Sequence, residues 1–169
     1  MSFQEILKTI SGLSKEYMID KPYIVGGLPR DLYLKVQQIK TTDIDITTNS
    51  SDVLRLGILL SDKLNVTFDL SDDGHITVFS DEFDIDFSSH FVSAKVKEHL
   101  DGKFKGLEEA FSRDFTINTL HQDLDTKEIL DPTTFGFDDI KNKLIKTPVP
   151  AEITLTDDPR RAYRAVELA

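Results

Sequence analysis

Apolar residues near the start of the chain fall at Phe3, Ile6, Leu7, Ile10 and Leu13, the three-and-four spacing of one helical face. Ser2 followed by Glu5 has the form of a capping box, so the chain is expected to open with an amphipathic helix whose apolar face is core. "YIVGG" reads as a short buried strand that stops at two glycines. Pro29 then suits the first turn of a helix running through Leu32, Tyr33 and Val36. Four later segments, "DIDIT", "NVTFDL", "HITVF" and "EFDIDF", alternate apolar and polar and predict four further strands, with a helix near Asp52 to Lys63 between the first two. From Ser88 to Lys105 the pattern is irregular and charged, which predicts a mobile surface loop. "LEEAFSRDFTINTL" returns to helix, and "KEIL" is a short extended piece before Asp131-Pro132. "FGFDDIKNKLIKT" is helical and then extended, "PVP" interrupts, and "DDPRRAYRAVELA" begins a further helix. The pattern predicts an α+β domain, a mixed sheet of about five strands flanked by helices, with a boundary near Pro148.

Composition narrows the partners. The chain has 169 residues, room for one ordinary domain and the first element of a second. Acidic residues outnumber basic ones 30 to 20, and the net charge of −10 argues against a broad electrostatic footprint on nucleic acid while allowing a local basic patch. Cysteine is absent, which removes disulfides, thiolate metal sites and Cys nucleophiles and fits a cytosolic protein. His75, His90, His99 and His121 do not fall at metal-ligand spacing and receive no role. No signal-peptide pattern opens the chain and no apolar run reaches the roughly 18 residues of a membrane span, so a soluble, cytoplasmic protein is expected.

Candidate chemistry begins with Asp43 and Asp45. On a strand, residues i and i+2 face the same way, about 6.5 to 7 Å apart at Cα, so both carboxylates can lean toward one cation or a pair of cations. Asp84 and Asp86 repeat the spacing on a later strand. Aspartate is disfavoured inside strands, and departures of this kind tend to mark function. The plainer alternative is that these aspartates line the solvated face of a half-exposed sheet. Carboxylates suit Mg²⁺, and two such ions can stabilise attacking and leaving oxygens in phosphoryl transfer. Gly26 and Gly27, between a strand and a helix start, allow close backbone approach to a phosphate, though they also suit a simple structural turn. Arg30 follows one turn later and can grip a phosphate with two hydrogen bonds, with Asp31 beside it; a solvent-facing helix pair is the alternative. A phosphate cradle followed by a two-carboxylate strand is the pattern of a nucleoside-triphosphate transfer site.

"GGLPRD", "DIDI", "RDFTINTL", "DP" with "GFDDI", and "DDPRRAYRAV" occur in this order. Together they resemble the successive motifs of the tRNA nucleotidyltransferases of bacterial and eukaryotic type, the CCA-adding enzymes, and of their relatives the bacterial poly(A) polymerases. The resemblance runs from about Tyr23 to the C-terminus and implies a nucleotidyltransferase head with a polymerase-beta-like palm at 1–147. The start of a helical neck would follow at 148–169. It implies that Gly26, Gly27 and Arg30 bind the triphosphate, with Asp31 the partner of Arg30. Asp43 and Asp45 match the catalytic pair that binds Mg²⁺ in a two-metal site, activating the 3′-hydroxyl of an RNA toward the α-phosphate. Asp84 is the best match to a further catalytic carboxylate, with Asp86 an extra on the same face. Arg113, Asp114 and Asn118 match the "RRDFTIN" motif, which positions triphosphate and sugar. Asp158 and Arg161 match "EDxxR", whose side chains present hydrogen-bonding edges to the incoming base, and Arg164 lies one helical turn on. All six are therefore expected to bind nucleotide.

The implied activity is template-independent addition of nucleotides from CTP and ATP to an RNA 3′ end, above all CCA addition to tRNA. Alternatives are poly(A) addition, partial CC-only or A-only addition, and a nucleotide-binding module without turnover. The RNA would be held mainly by regions absent from this chain, in keeping with its acidity. Several positions depart from the family. Pro29 replaces a small aliphatic residue, Ser112 stands where a first arginine is usual, "FSSHF" lacks an arginine, Asp157 replaces glutamate, and Glu167 occupies an arginine position. Losing three basic positions is expected to weaken triphosphate or RNA binding without touching the metal carboxylates. As alternatives, Arg113 with Asp114, and Arg160, Arg161 and Arg164, can be solvated helix-surface groups, and Asn118 a cap or buried polar contact. Asp131-Pro132 is read as a turn.

Overall fold

The computed structural model describes residues 1–37, 41–48, 52–72, 74–88 and 92–169. Its backbone forms two compact units, Met1–His90 with His121–Ile129, and Phe91–Leu120 with Leu130–Ala169.

The first unit opens with α1 (Phe3–Glu16), started by the expected reciprocal cap. The Glu5 amide donates to Ser2 Oγ and the Ser2 amide donates to Glu5 Oε2 at 2.7 Å. Strand β1 (Tyr23–Val25) leads through Gly26 into α2 (Gly27–Tyr33). This helix is shorter than the apolar spacing suggests: Lys35, at φ 55°, leaves the helical region, so Val36 lies outside. Strands β2 (Asp43–Thr47), β3 (Phe68–Leu70), β4 (Ile76–Phe79) and β5 (Asp84–Phe87) follow, with α3 (Val53–Leu64) between β2 and β3. Two short strands, β6 (His121–Asp123) and β7 (Ile129–Leu130), extend the sheet beyond the expected five, giving among the described residues seven strands ordered β3-β4-β5-β2-β1-β6-β7. β6 is buried yet reads His-Gln-Asp, so no apolar alternation announces it. The sheet is mixed: β2 and β5 run parallel, while β1–β2, β1–β6, β3–β4 and β4–β5 are antiparallel.

Alternation in β2 and β5 sends Ile44, Ile46, Ile85 and Phe87 to one face, where all four are fully buried. They pack with Ile6, Leu7 and Ile10 of α1 and Leu56 and Leu60 of α3 in one apolar cluster. Helices therefore cover one face of the sheet, and the aspartates of the same strands occupy the other. Gly57 fits this packing closely, since a Cβ there would lie 3.0 Å from Ile76 Cγ2 and 3.1 Å from Phe87 Cδ2.

In the second unit the expected loop at 88–105 contains a helix, α4 (Ala94–Leu100), capped by Ser93 Oγ and burying Val96 and Leu100 against Phe111 and Val149. Its charged residues hide a two-residue apolar stripe, which is why composition pointed to a loop; residues 89–91 lie outside the described residues. "LEEAFSRDFTINTL" is not one helix. Short α5 (Glu108–Phe111) stops, Phe115 is extended at φ −133° and ψ 151°, and Thr116–Asn118 form a 3₁₀ turn. The Asp114 carboxylate accepts the Phe115 amide at 2.7 Å, a local bond that competes with helix continuation. Then come α6 (Gly136–Lys141), α7 (Ala151–Asp157) and α8 (Arg161–Leu168). α7 was not expected, because "PVP" suggests a break. Pro150 instead sits at the helix start, where a missing N–H costs nothing.

Candidate active site

Strands β2 and β5 build the acidic surface. Their parallel register sets Asp43 beside Asp84 and Asp45 beside Asp86, with Ile44 beside Ile85 between them. Four aspartates thus share the sheet face opposite the core, on two neighbouring strands about 4.8 Å apart. Asp43 is exposed and the other three are half-buried, so water still reaches the group. Asp86 accepts a hydrogen bond from Thr77 Oγ1 on β4, its register partner on the other side. Asp84 and Asp86 are both on this face, as expected, and Thr77 is a supporting residue that sequence reading missed. A threonine in an alternating strand carries no signal of its partner.

The glycine turn lies next to this surface in the sheet. Val25, the last residue of β1, pairs with Asp45, so the chain leaves the sheet at Gly26 alongside the acidic end of β2. Gly26 has φ 81° and ψ −144°, a conformation open essentially to glycine. Gly27 starts α2, and Arg30 folds back over it: a Cβ at residue 27 would meet Arg30 Nη2 at 3.3 Å. Asp31 accepts Arg30 Nε at 2.8 Å and Nη2 at 2.8 Å, which fixes the plane of the guanidinium. The structure therefore gathers Gly26, Gly27, Arg30, Asp31, Asp43, Asp45 and Asp84 in the first unit.

The remaining expected residues belong to the second unit, where Asp114, Asn118, Arg164 and Asp158 are linked. Asp114 is buried; its Oδ1 accepts the Phe115 amide and Asn118 Nδ2 at 3.0 Å, and its Oδ2 accepts Arg164 Nη1 at 3.0 Å. Arg164 Nη2 lies 3.6 Å from Asp158 Oδ2. Arg161 donates to two backbone carbonyls, Ser112 at 2.9 Å and Thr154 at 3.3 Å. Burial pulls the Arg161 guanidinium below its usual pKa, opposed by the nearby charges of Asp114 and Asp158. Asp158 is held below the ordinary aspartate range, first by the Arg160 side chain, which donates Nε at 2.8 Å and Nη2 at 3.2 Å. Arg113 pairs with Glu109 at 2.6 Å, an i,i+4 contact on the same segment. Glu109 was missed as a partner of Arg113, although the four-residue spacing of opposite charges could have shown it. Among the histidines, His121 is buried on β6 with its ring 5.4 Å from that of Tyr23, a packing role, and His90 lies outside the described residues.

Comparison with known proteins gives the setting. Residues 22–146 match the family model described as the poly A polymerase head domain. The tRNA nucleotidyltransferase cca1 of Schizosaccharomyces pombe is 46% identical over 63 residues, 37% of this chain and 13% of that protein. The CCA-adding enzyme of Oceanobacillus iheyensis is 29% identical over 163 residues, 87% of this chain and 36% of that protein. Among solved structures, the Thermotoga maritima CCA-adding enzyme complexed with tRNA superposes with a TM-score of 0.73 at 24% identity. The match covers 97% of this chain and 36% of that one. A tRNA-processing enzyme in its apo form gives 0.74 at 24% identity over 98% of this chain and 41% of its own. The chain thus spans well under half the length of these relatives, while the family match covers the glycine turn, both acidic strands and the Arg113 to Asn118 segment. By that match, over most of its length, this chain belongs to the poly A polymerase head domain family.

Proposed function

We propose that the chain is the catalytic head of a template-independent RNA nucleotidyltransferase, which transfers nucleoside monophosphates from CTP and ATP to the 3′ end of tRNA. The observation that carries the proposal is the in-register pairing of Asp43 and Asp45 with Asp84 and Asp86 beside the glycine turn, in a chain of this family. The likeness to CCA-adding proteins over 87% of the chain favours CCA addition over poly(A) addition. The family match ends at residue 146, and α7 and α8 follow it, which supports a head at 1–147 and the start of a helical neck at 148–169. The described residues contain no helix long and apolar enough to cross a membrane. A tRNA substrate is in keeping with the cytoplasmic location read from the sequence.

The donor set fits Mg²⁺. Asp43, Asp45 and Asp84 offer only hard carboxylate oxygens on one sheet face. Among the described residues, no three acidic or imidazole groups are gathered closely enough to enclose an ion, so the rest of its shell falls to substrate phosphates and water. Asp43 and Asp45 would hold the two-metal site; when bound, the ions supply Lewis-acid activation of the 3′-hydroxyl and neutralise charge at the α-phosphate. The chain's own groups do the rest. The Gly26 turn lets backbone approach the triphosphate, and Arg30, its plane fixed by Asp31, presents N–H groups to phosphate oxygens. Arg113 adds a second cation for the triphosphate. Asn118, Asp158, Arg161 and Arg164 contribute the polar edges that face sugar and base. Labelled CTP and ATP, supplied separately and together with a tRNA lacking its 3′ terminus, test the proposal. Addition of C residues and then A supports it, addition from ATP alone points to poly(A) synthesis, and no incorporation from either contradicts it.

A further inference from the structure

We propose that the turn Lys103-Phe104-Lys105 is a contact site for single-stranded RNA, in which the Phe104 ring stacks on a base and the two lysines neutralise phosphates. The site lies wholly within the second unit and requires no nucleoside triphosphate. Charge points to this unit. The net charge of −10 is shared unevenly: the first unit carries 9 Lys and Arg against 18 Asp and Glu, the second 11 against 12. A polyanion is therefore disfavoured by the first unit and tolerated by the second. Between residues 95 and 105, Lys95, Lys97, Lys103 and Lys105 are all exposed, against the acidic Glu98 and Asp101. None of the four lysines enters an ion pair among the described residues.

An aromatic ring stands between two of them. Phe104 is 49% exposed, and its ring centroid lies 4.5 Å from that of buried Phe111, so one neighbour anchors the ring while about half of the residue meets water. Its backbone is at φ 58°, a region that bulky side chains rarely adopt and that glycine would occupy at no cost. The chain thus keeps a half-exposed phenylalanine where a small residue would suit the turn better, a local conflict of the kind that marks function. Phe135, the other half-exposed phenylalanine of this unit, has Lys146 Nζ over its ring at 5.3 Å, so the chain supplies that cation itself. Among the described residues no cation covers Phe104.

The turn is held in place and stands clear. The Lys103 amide donates to the Leu100 carbonyl and the Leu107 amide to the Phe104 carbonyl, both at 2.9 Å, and the Gly106 amide donates to Glu108 Oε2 at 2.7 Å. Gly102 and Gly106 bracket it, and a Cβ built on either meets nothing within 4 Å, which leaves room for an incoming strand at both ends. A fixed aromatic ring with unpaired cations beside it takes a base by its face, whatever the base, and the backbone by charge. An acidic peptide would satisfy the lysines and leave the ring unused, and a duplex keeps its bases stacked on one another. The ring and lysines suit any unpaired strand; the choice of RNA rests on the reading above.

Fluorescence anisotropy of the 169-residue chain with a labelled single-stranded RNA of about 12 nucleotides, without nucleoside triphosphate or Mg²⁺, tests the site. Phe104→Leu should bind about tenfold more weakly, the loss of one stacked base, while Phe104→Tyr, which keeps the ring, should bind like the parent with an unchanged melting temperature. Lys103→Gln/Lys105→Gln should make the slope of log affinity against log salt shallower by about 1.4, two phosphates at about 0.7 each. A duplex of the same length should bind more weakly than the single strand. The inference is overturned by a parent chain that does not bind the strand, by Phe104→Leu binding like the parent, or by Phe104→Tyr as weak as Phe104→Leu. An unchanged salt slope, a duplex bound as well as the strand, or polyglutamate of equal charge displacing the RNA as readily as unlabelled RNA does would overturn it too. No nucleotide is transferred in this assay, so each of these results leaves the nucleotidyltransferase reading intact; that reading falls instead with absent incorporation from CTP and ATP.

Discussion

Gly26 holds φ 81° and ψ −144°, where a side chain is strained whatever the space around it. Gly26→Ala should cost about 1–3 kcal/mol, read as a lowered urea midpoint with an unchanged slope. Gly27 differs, because its backbone is helical and the three atoms nearest an added Cβ all belong to the Arg30 guanidinium. Gly27→Ala should leave stability nearly unchanged and weaken CTP binding severalfold, since the Arg30 guanidinium must give way by a few tenths of an ångström from the position its Asp31 contact sets. A stability loss equal to that of Gly26→Ala would contradict this division of roles. The two glycines look equivalent in sequence. What the sequence shows is that a turn is needed there; which glycine carries the strain and which makes room for the arginine follows only from the backbone angles.

The secondary-structure elements show where periodicity works and where it fails. α1, α3, β1 and the alternating strands β2, β4 and β5 were legible because each sends apolar residues to one cluster, whereas β3 alternates in sequence but is exposed along its length. The register of β2 against β5 was not, since nothing in either strand says that they pair, in parallel, with aspartate beside aspartate. The likeness of motifs brought the same residues to notice without stating their geometry. Polar β6 escaped because backbone pairing with β1, not apolar alternation, sets it, and the break between α5 and the 3₁₀ turn escaped because a side-chain bond, the Phe115 amide to Asp114, competes with the helix there. A second group of such bonds locks α6 in place. Thr116 Oγ1 donates to Asp139 at 2.6 Å, and a Cβ on Gly136 would come within 2.8 Å of the Thr116 carbonyl. Gly136→Ala must push α6 away from the 3₁₀ turn and should destabilise by about 1–3 kcal/mol. Thermal melting checks this, and an unchanged melting temperature would show that the helix yields freely.

The whole molecule carries a net charge of −10, and its response to acid has an identifiable contributor. Burial would raise the pKa of Asp123, but Lys21 and the amides of Thr126 and Asp125 outweigh it and hold the carboxyl down at about 2, against an ordinary 3.8. A depressed folded pKa contributes stability that is present above about 3.8 and lost as pH falls toward 2. Solvent around the half-exposed lysine screens the pair, so the contribution is smaller than the shift alone implies. Lys21→Met should remove most of it at pH 6 and little at pH 2, which denaturant melts at the two values would reveal. The same acidity predicts weak, shallowly salt-dependent binding of single-stranded RNA by this chain alone. The central claim is that Asp43 and Asp45 act together at a phosphoryl-transfer site, and the most direct test is incorporation of labelled CMP by the Asp43→Ala/Asp45→Ala variant. The account predicts a drop of at least about a thousandfold, about 4 kcal/mol of transition-state stabilisation, with circular dichroism and melting temperature unchanged. Incorporation at the rate of the parent protein would contradict it.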